Sequence, residues 1–381
     1  MTALTRHHLH DVVDPLTECL SQARRPLALL LGAGCPMSVS NDDGSPLIPS
    51  IDELTKRISE SMALTDRSDD FDLLVNGLRV DTPGNAPNIE SILSRLRALE
   101  LVAGAEKVRQ LGVIAIQEIE RLITDSIARA VEVPLPRCAT PYDDVAGWIG
   151  GVDRTSPVHV FTTNYDTLAE VALERNSVPY FDGFVGSSEP FLDLRTIELD
   201  ELPTRWARVW KLHGSTNWAL LPSGRVVRRS PNSAEERRLV HPSHLKYNES
   251  RRMPYLLMQD QLRDFLRLPS ATIVTLGYSF GDEHINEVLR YGLNANPRAI
   301  VFTLQYGSIE CCGSLARLAL ENPSLMVAAR DGAVIGGRQG AWQEGPDGSP
   351  TEFDLGDFAR FGAHLRRLTT RRIDTIEPNA N

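Results

Sequence analysis

The chain has 381 residues, 42% of them apolar and 24% charged, with a formal net charge of −10. That length suits a parallel-sheet domain plus a second lobe, and the acidic balance argues against direct nucleic-acid binding, which draws on clustered Lys and Arg. With no apolar run long enough to cross a bilayer and no apolar signal-peptide region, a cytoplasmic protein without a membrane partner is expected.

In chain order, residues 7–24 predict a helix closed by Arg24-Arg25-Pro26. Its early histidines, His7, His8 and His10, read as a polar helix start. Leu27–Leu31 is a continuous apolar run ending in Gly-Ala-Gly, the pattern of a strand buried on both faces. Ser50-Ile51-Asp52-Glu53 offers an N-cap and a capping-box Glu for a helix running to Met62. Beyond it lie an acidic patch at Asp66, Asp69, Asp70 and Asp72, and a turn at Thr82-Pro83-Gly84-Asn85. Ile89, Ile92, Leu93 and Leu96 then recur at helical spacing, followed by a helical stretch near 113–130. No strand is evident, so residues 63–150 read as an inserted helical lobe.

The sheet resumes with Val158-His159-Val160-Phe161, then 206–212, 271–276 and 299–304, with helices expected at 166–174, 254–268 and 282–293. This alternation predicts an α/β fold: a Rossmann-like, mostly parallel sheet with helices on both faces, built from residues 1–62 and 151–381. The arginine-rich stretch 222–250 reads as an exposed loop or small excursion, 331–350 as a loop or hairpin, and 355–368 as a terminal helix. Arg366, Arg367, Arg371 and Arg372 on that helix read as a solvated face.

Five cysteines, Cys19, Cys35, Cys138, Cys311 and Cys312, form no C-x-x-C pair, so neither a thiolate zinc site nor a disulfide framework is expected. Asp282 and His284 invite a metal reading, but no further ligand stands at suitable spacing, and no metal is predicted.

Four stretches end apolar strands: Gly32-Ala33-Gly34, Thr163-Asn164-Tyr165-Asp166, His213-Gly214 and Gly277-Tyr278-Ser279. In an open α/β sheet such ends share the ligand-binding edge. Gly32, Ala33 and Gly34 can bring backbone N–H groups close to a pyrophosphate; a tight turn without a ligand would have the same sequence. Asn164 offers a donor and an acceptor that can orient a ribose or a water without adding charge. Asp166 caps the next helix or orients the site. His213, beside Trp210, Leu212 and Trp218, is either a general base or a satisfied structural histidine. Gly277 and Ser279 place an N–H and a hydroxyl near phosphate or ribose, or simply turn the chain.

With Ile48-Pro49 added, these stretches occur in the order seen in sirtuins, and over roughly 27–305 the chain resembles that family, especially its bacterial branch associated with anti-phage defence. It departs from deacylating sirtuins in lacking their two zinc-binding Cys pairs, in Cys35-Pro36 after the glycine turn, in a longer 34–49 segment, and in Ser50-Ile51-Asp52 after the proline. The resemblance implies NAD⁺ as substrate and no zinc. It favours an NAD⁺ glycohydrolase, releasing nicotinamide and ADP-ribose, over a zinc-free deacylase or a non-catalytic NAD- or ADP-ribose-binding subunit. It assigns Asn164 to the ribose and the attacking water, His213 to proton transfer, Asp166 to orienting the site or to a contact on the nicotinamide side, Asp52 to that same side, and Pro49 to cofactor binding. It also implies a homo-oligomer, with the 63–150 lobe as assembly surface, and a HerA-type hexameric ATPase as partner in defence by NAD depletion.

Overall fold

A computed structural model describes residues 5–81, 86–103, 107–233, 236–240, 254–345 and 351–374. The predicted turn at 82–85 lies outside them, as do the 241–250 part of the arginine-rich stretch and the side chains of Arg371 and Arg372. The chain opens with β1 (Arg6–His7) and α1 (His10–Ser21), then β2 (Leu27–Leu31) and the short α2 (Gly34–Met37). Five helices follow: α3 (Ile51–Met62), α4 (Ser68–Asp81), α5 (Ile89–Val102), α6 (Val113–Val131) and α7 (Pro141–Gly151). Next come β3 (Val158–Thr162), α8 (Leu168–Arg175), β4 (Tyr180–Phe181), β5 (Phe184–Val185), β6 (Phe191–Leu192) and α9 (Leu194–Leu199). After them stand β7 (Ala207–Lys211), β8 (Gly214–Leu220), β9 (Val226–Arg228) and β10 (Arg237–Val240). The last part holds α10 (Tyr255–Arg267), β11 (Thr272–Leu276), α11 (Glu283–Ala295), β12 (Ile300–Leu304), α12 (Gly313–Glu321), β13 (Leu325–Ala329), β14 (Gly332–Ile335), β15 (Arg338–Trp342) and α13 (Phe358–Asp374).

The main sheet runs β1-β15-β14-β13-β12-β11-β2-β3-β7-β4. Its core strands, from β7 through β3, β2, β11 and β12 to β13, are all parallel. Numbered by their order in the chain they read 3-2-1-4-5-6, the doubly wound Rossmann arrangement. The strand order reverses between β2 and β11, whose residues pair in register from Leu27↔Thr272 to Leu31↔Leu276.

Alternation within β2 shows how both faces are filled. Leu27, Leu29 and Leu31 join a core with residues of α1, α3, α5, α6, α7, α8 and α13. Ala28 and Leu30 face the other core, built with α10, α11 and α12. Burial on both faces is why the sequence shows a continuous apolar run here rather than alternation. Among the described residues no named strand comes from 63–150. The helices there share one continuous apolar core with the sheet: Ile92, Ile116 and Ile123 lie in the same cluster as Leu29.

The structure differs from the sequence expectation in three places. His7 is not helical; it pairs with Trp342 at the sheet edge, so the first helix starts at His10. Part of the arginine-rich stretch forms β9 and β10 of a second, five-stranded sheet, β10-β8-β9-β6-β5. Its arginines are held by long-range carboxylates: Arg237 by Glu100 and Glu120, Arg228 by Asp182, Arg238 by Glu132. Finally, β13, a strand the sequence reading does not include, completes the parallel set; the hairpin expected within 331–350 follows it as β14–β15.

Candidate active site

A cavity of about 550 Å³ opens at the switch point, within the size range of small-molecule sites. It is lined by Ala33 and Gly34 after β2, Asn164 to Asp166 after β3, His213 after β7, Gly277 to Ser279 after β11 and Gln305 after β12. Pro49 lines it too, and Asn88, Glu90 and Val131 reach it from α5 and α6. Of the predicted site residues, Gly32 and Asp52 are not among its lining. Gly32 lies behind the wall, where its carbonyl anchors Asn164, and Asp52 sits exposed in the first turn of α3, whose N-cap Ser50 does face the cavity.

The glycines have a packing reason that precedes any ligand. A Cβ on Gly32 would stand 2.4 Å from the Gly277 carbonyl oxygen, and one on Gly34 2.7 Å from the Gly277 Cα. Gly277 itself has φ +61°, and a Cβ there would lie 2.5 Å from the Cys35 nitrogen. The amides of Gly32 and Gly34 donate to Leu276 and Gly277 carbonyls. These three glycines thus let the two switch-point loops cross backbone to backbone. Gly277→Ala is expected to destabilise the fold by about 1–3 kcal/mol, the usual cost of forcing a side chain into a left-handed site, more if the loops separate. A lowered urea midpoint with unchanged slope would report it.

The Asn164 loop is set by a chain of hydrogen bonds. The Leu31 carbonyl accepts from the Thr162 hydroxyl (3.0 Å) and the Thr163 amide (3.1 Å). Thr162 Oγ1 accepts in turn from the Asn164 amide at 3.0 Å, and Asn164 Nδ2 donates to the Gly32 carbonyl at 3.0 Å. The Asn164 amide group is therefore oriented by β2, with its side chain on the cavity wall. From the other side, the Tyr165 carbonyl accepts from the Thr216 amide (3.0 Å) and the Ser215 hydroxyl (3.3 Å) of β8. This brings the loop beside His213. Gly214, at φ +84°, makes room on its other side for β10, since a Cβ there would run into the Leu239 carbonyl.

Asp166 points inward. It is buried, its Oδ1 accepts from the Leu168 amide at 3.0 Å, and its carbonyl accepts from Lys211 Nζ. Burial raises its carboxyl above the usual range, against the pull of Lys211. Lys211 also pairs with Glu170 at 3.2 Å, with both side chains buried. Burial raises Glu170 in the same way, again opposed by Lys211. The buried Cys35 thiol donates to the Leu276 carbonyl at 3.2 Å, and burial pushes it far above the ordinary thiol range. Cys35 is therefore a packing residue beneath the cavity rather than a nucleophile.

His213 Nε2 lies 2.7 Å from Asp282 Oδ2, and both side chains are buried. The sequence shows Asp282 at the start of a helix and two residues from His284, but 69 positions from His213, so nothing local signals the contact. Burial opposes ionisation of Asp282, but the hydrogen bond with His213 and the amides of His284 and Ile285 prevail and hold its carboxyl below the usual range. The loop carrying Asp282 is tightly wound: Phe280 has φ +57°, and its carbonyl is tied by Asn286 Nδ2 at 2.8 Å. Ser279 stays on the cavity wall, its hydroxyl accepting a long bond from the Gly281 amide, 3.4 Å. His284 contributes its backbone rather than its ring to Asp282. Among the described residues no group of three or more His, Cys, Asp or Glu side chains is placed to hold a metal ion. Among the described residues, too, no helix is long and apolar enough to cross a membrane.

Fold and site together define a Rossmann-type α/β protein with a cavity at its switch point, where a few polar groups stand in a largely apolar lining. Residues 158–319, which carry the Asn164, His213 and Ser279 loops, match the SIR2-like domain family. Among solved structures, one described as "Structural Basis for the Mechanism and Regulation of Sir2 Enzymes" is similar at 12% identity and a TM-score of 0.41, covering 96% of this chain and 99% of that one. No curated protein matches the sequence.

Proposed function

We propose that the protein is an NAD⁺ glycohydrolase, cleaving NAD⁺ to nicotinamide and ADP-ribose. The observation that carries the reading is that Asn164 and His213 both line the switch-point cavity, where a Rossmann fold takes its dinucleotide. The SIR2-like match over the same loops supports NAD⁺ as the dinucleotide.

In this reading the pyrophosphate lies over the Ala33–Gly34 turn, with Gly277 and Ser279 opposite and Pro49 on the nicotinamide side; Gly32 supports the turn from behind, and Asp52, outside the cavity, has no part in it. Loss of nicotinamide leaves positive charge on the ribose, which fixed dipoles stabilise without reorganising. The side-chain oxygen of Asn164 holds the ribose and the incoming water, since its Nδ2 is committed to Gly32. His213 takes the proton from that water. Asp166 acts from below, keeping the Asn164 loop in place. Oxygen bonds to C1′ as the glycosidic bond breaks, the bonding pair leaves with nicotinamide, and the proton passes from His213 to solvent. Any zinc-free deacylation would need an acyl-lysine channel beside the same residues.

Incubation with NAD⁺ and separation of the products tests the reading. Nicotinamide and ADP-ribose in equal amounts are expected. Bound but intact NAD⁺ would favour a regulatory subunit, and acyl-ADP-ribose from an acetylated peptide would favour a deacylase. Anti-phage defence by NAD depletion, the 63–150 helices as an inserted assembly lobe, a homo-oligomer and a HerA-type ATPase partner are parts of the same proposal. Exposed apolar side chains on that lobe, among them Leu64, Val80 and Ile114, support the assembly surface.

A further inference from the structure

The His213–Asp282 contact joins two loops that the sheet places side by side, one leaving β7 and the other leaving β11. Asp282 has a plain structural duty: its Oδ1 caps α11, accepting from the His284 amide at 2.9 Å and the Ile285 amide at 3.4 Å. That duty uses one oxygen. The second, Oδ2, is aimed at His213 Nε2 at 2.7 Å in a buried setting. A helix cap has no need of this second bond, and an ionised carboxylate can only accept. Nε2 must then carry the proton, and in the neutral ring Nδ1 is left as the unprotonated nitrogen. His213 lines the cavity, and its Nδ1 makes no hydrogen bond among the described residues.

We propose that Asp282 is the positioning residue for His213: Oδ2 takes the Nε2–H, fixes ring and tautomer, and leaves Nδ1 as the base that faces substrate. The inference rests on the glycohydrolase reading for its chemistry, though the pairing stands on geometry alone. When the attacking water gives its proton to Nδ1, the ring becomes a buried cation. Asp282 is the counter-charge that makes this state accessible, as a carboxylate partner does for any histidine base in an apolar wall. The proton later leaves for solvent, and Asp282 stays ionised throughout.

Asp282→Asn keeps an acceptor for the α11 amides but offers Nδ2–H to the ring, which reverses the tautomer and places the proton on Nδ1. Asp282→Ser keeps a good N-cap and is too short to reach His213. The measurement is long-range ¹H–¹⁵N spectroscopy of ring-labelled histidines in the full chain, with His213 assigned by the spectrum of His213→Gln, alongside kcat and KM for NAD⁺. The expected results are an Nε2–H tautomer in the parent protein, Nδ1–H in Asp282→Asn, and kcat lowered about 10²-fold or more in both variants with KM little changed, the mark of a group acting in the transition state. Unchanged tautomer and kcat in Asp282→Asn, or full kcat in Asp282→Ser, would overturn the proposal and leave Asp282 a helix cap. The tautomer switch in Asp282→Asn, found with a parent protein that cleaves no NAD⁺, would uphold the pairing while sinking the glycohydrolase reading.

Discussion

His213→Ala is expected to lower the rate of NAD⁺ cleavage by about 10²–10⁴-fold, the range typical for a positioned acid–base group, in a protein that still folds. The ring is buried at the edge of the cavity and touches the core mainly through Asp282 and the Tyr165 face, with ring centroids 6.4 Å apart. Removing it leaves Asp282 Oδ2 without its partner, at about 1–3 kcal/mol, while Oδ1 keeps both α11 amides. The variant should therefore show a native circular-dichroism spectrum, a modestly lowered melting temperature and a collapsed kcat. A folded His213→Ala protein that cleaves NAD⁺ at the parent rate would remove His213 from the chemistry.

The second large effect is on stability. Lys211→Met is expected to cost about 3–5 kcal/mol, because it strands a buried carboxylate. Lys211 serves two partners, the Glu170 carboxylate and the Asp166 carbonyl, and its side chain is 2% exposed. Glu170 already has one oxygen, Oε2, buried without a hydrogen bond. Burial raises its carboxyl and Lys211 holds it down, so removing Lys211 raises it further. A carboxyl raised in the folded state binds its proton more tightly there than in the unfolded chain, so stability rises as pH falls. The variant's deficit should thus be largest at neutral and alkaline pH and shrink towards pH 4.5, the ordinary value for Glu. Lys211→Met combined with Glu170→Gln should recover most of the loss at neutral pH. Denaturant midpoints of the three proteins at two pH values check this; a pH-independent deficit would show that packing, rather than charge, is what Lys211 supplies.

Much of the frame was legible. Leu27–Leu31 and the apolar runs of β3, β7, β11 and β12 declare buried strands, because a strand covered on both faces needs an unbroken apolar stretch. The residues at their ends form the cavity wall for the same reason: parallel strands deliver their carboxyl ends to one edge. Other elements had no such signal. The second sheet draws on short, polar and arginine-bearing strands such as Arg237–Val240, which become strands only because β8 pairs with them and acidic groups elsewhere hold their side chains. His7 reads as helical until β15 offers its backbone a partner.

The class of fold, the order of the motifs and the residue types brought to the edge follow from local pattern and from the handedness of parallel connections, and so can be read along the chain. What those residues do to one another cannot. Gly32, Gly34 and Gly277 turn out to serve the crossing of two backbones, Lys211 to neutralise a buried carboxylate, and Asp282 to hold His213. Each of these depends on a contact between residues dozens to hundreds of positions apart, and the spacing of residues along a chain carries no record of which distant atom stands within 3 Å.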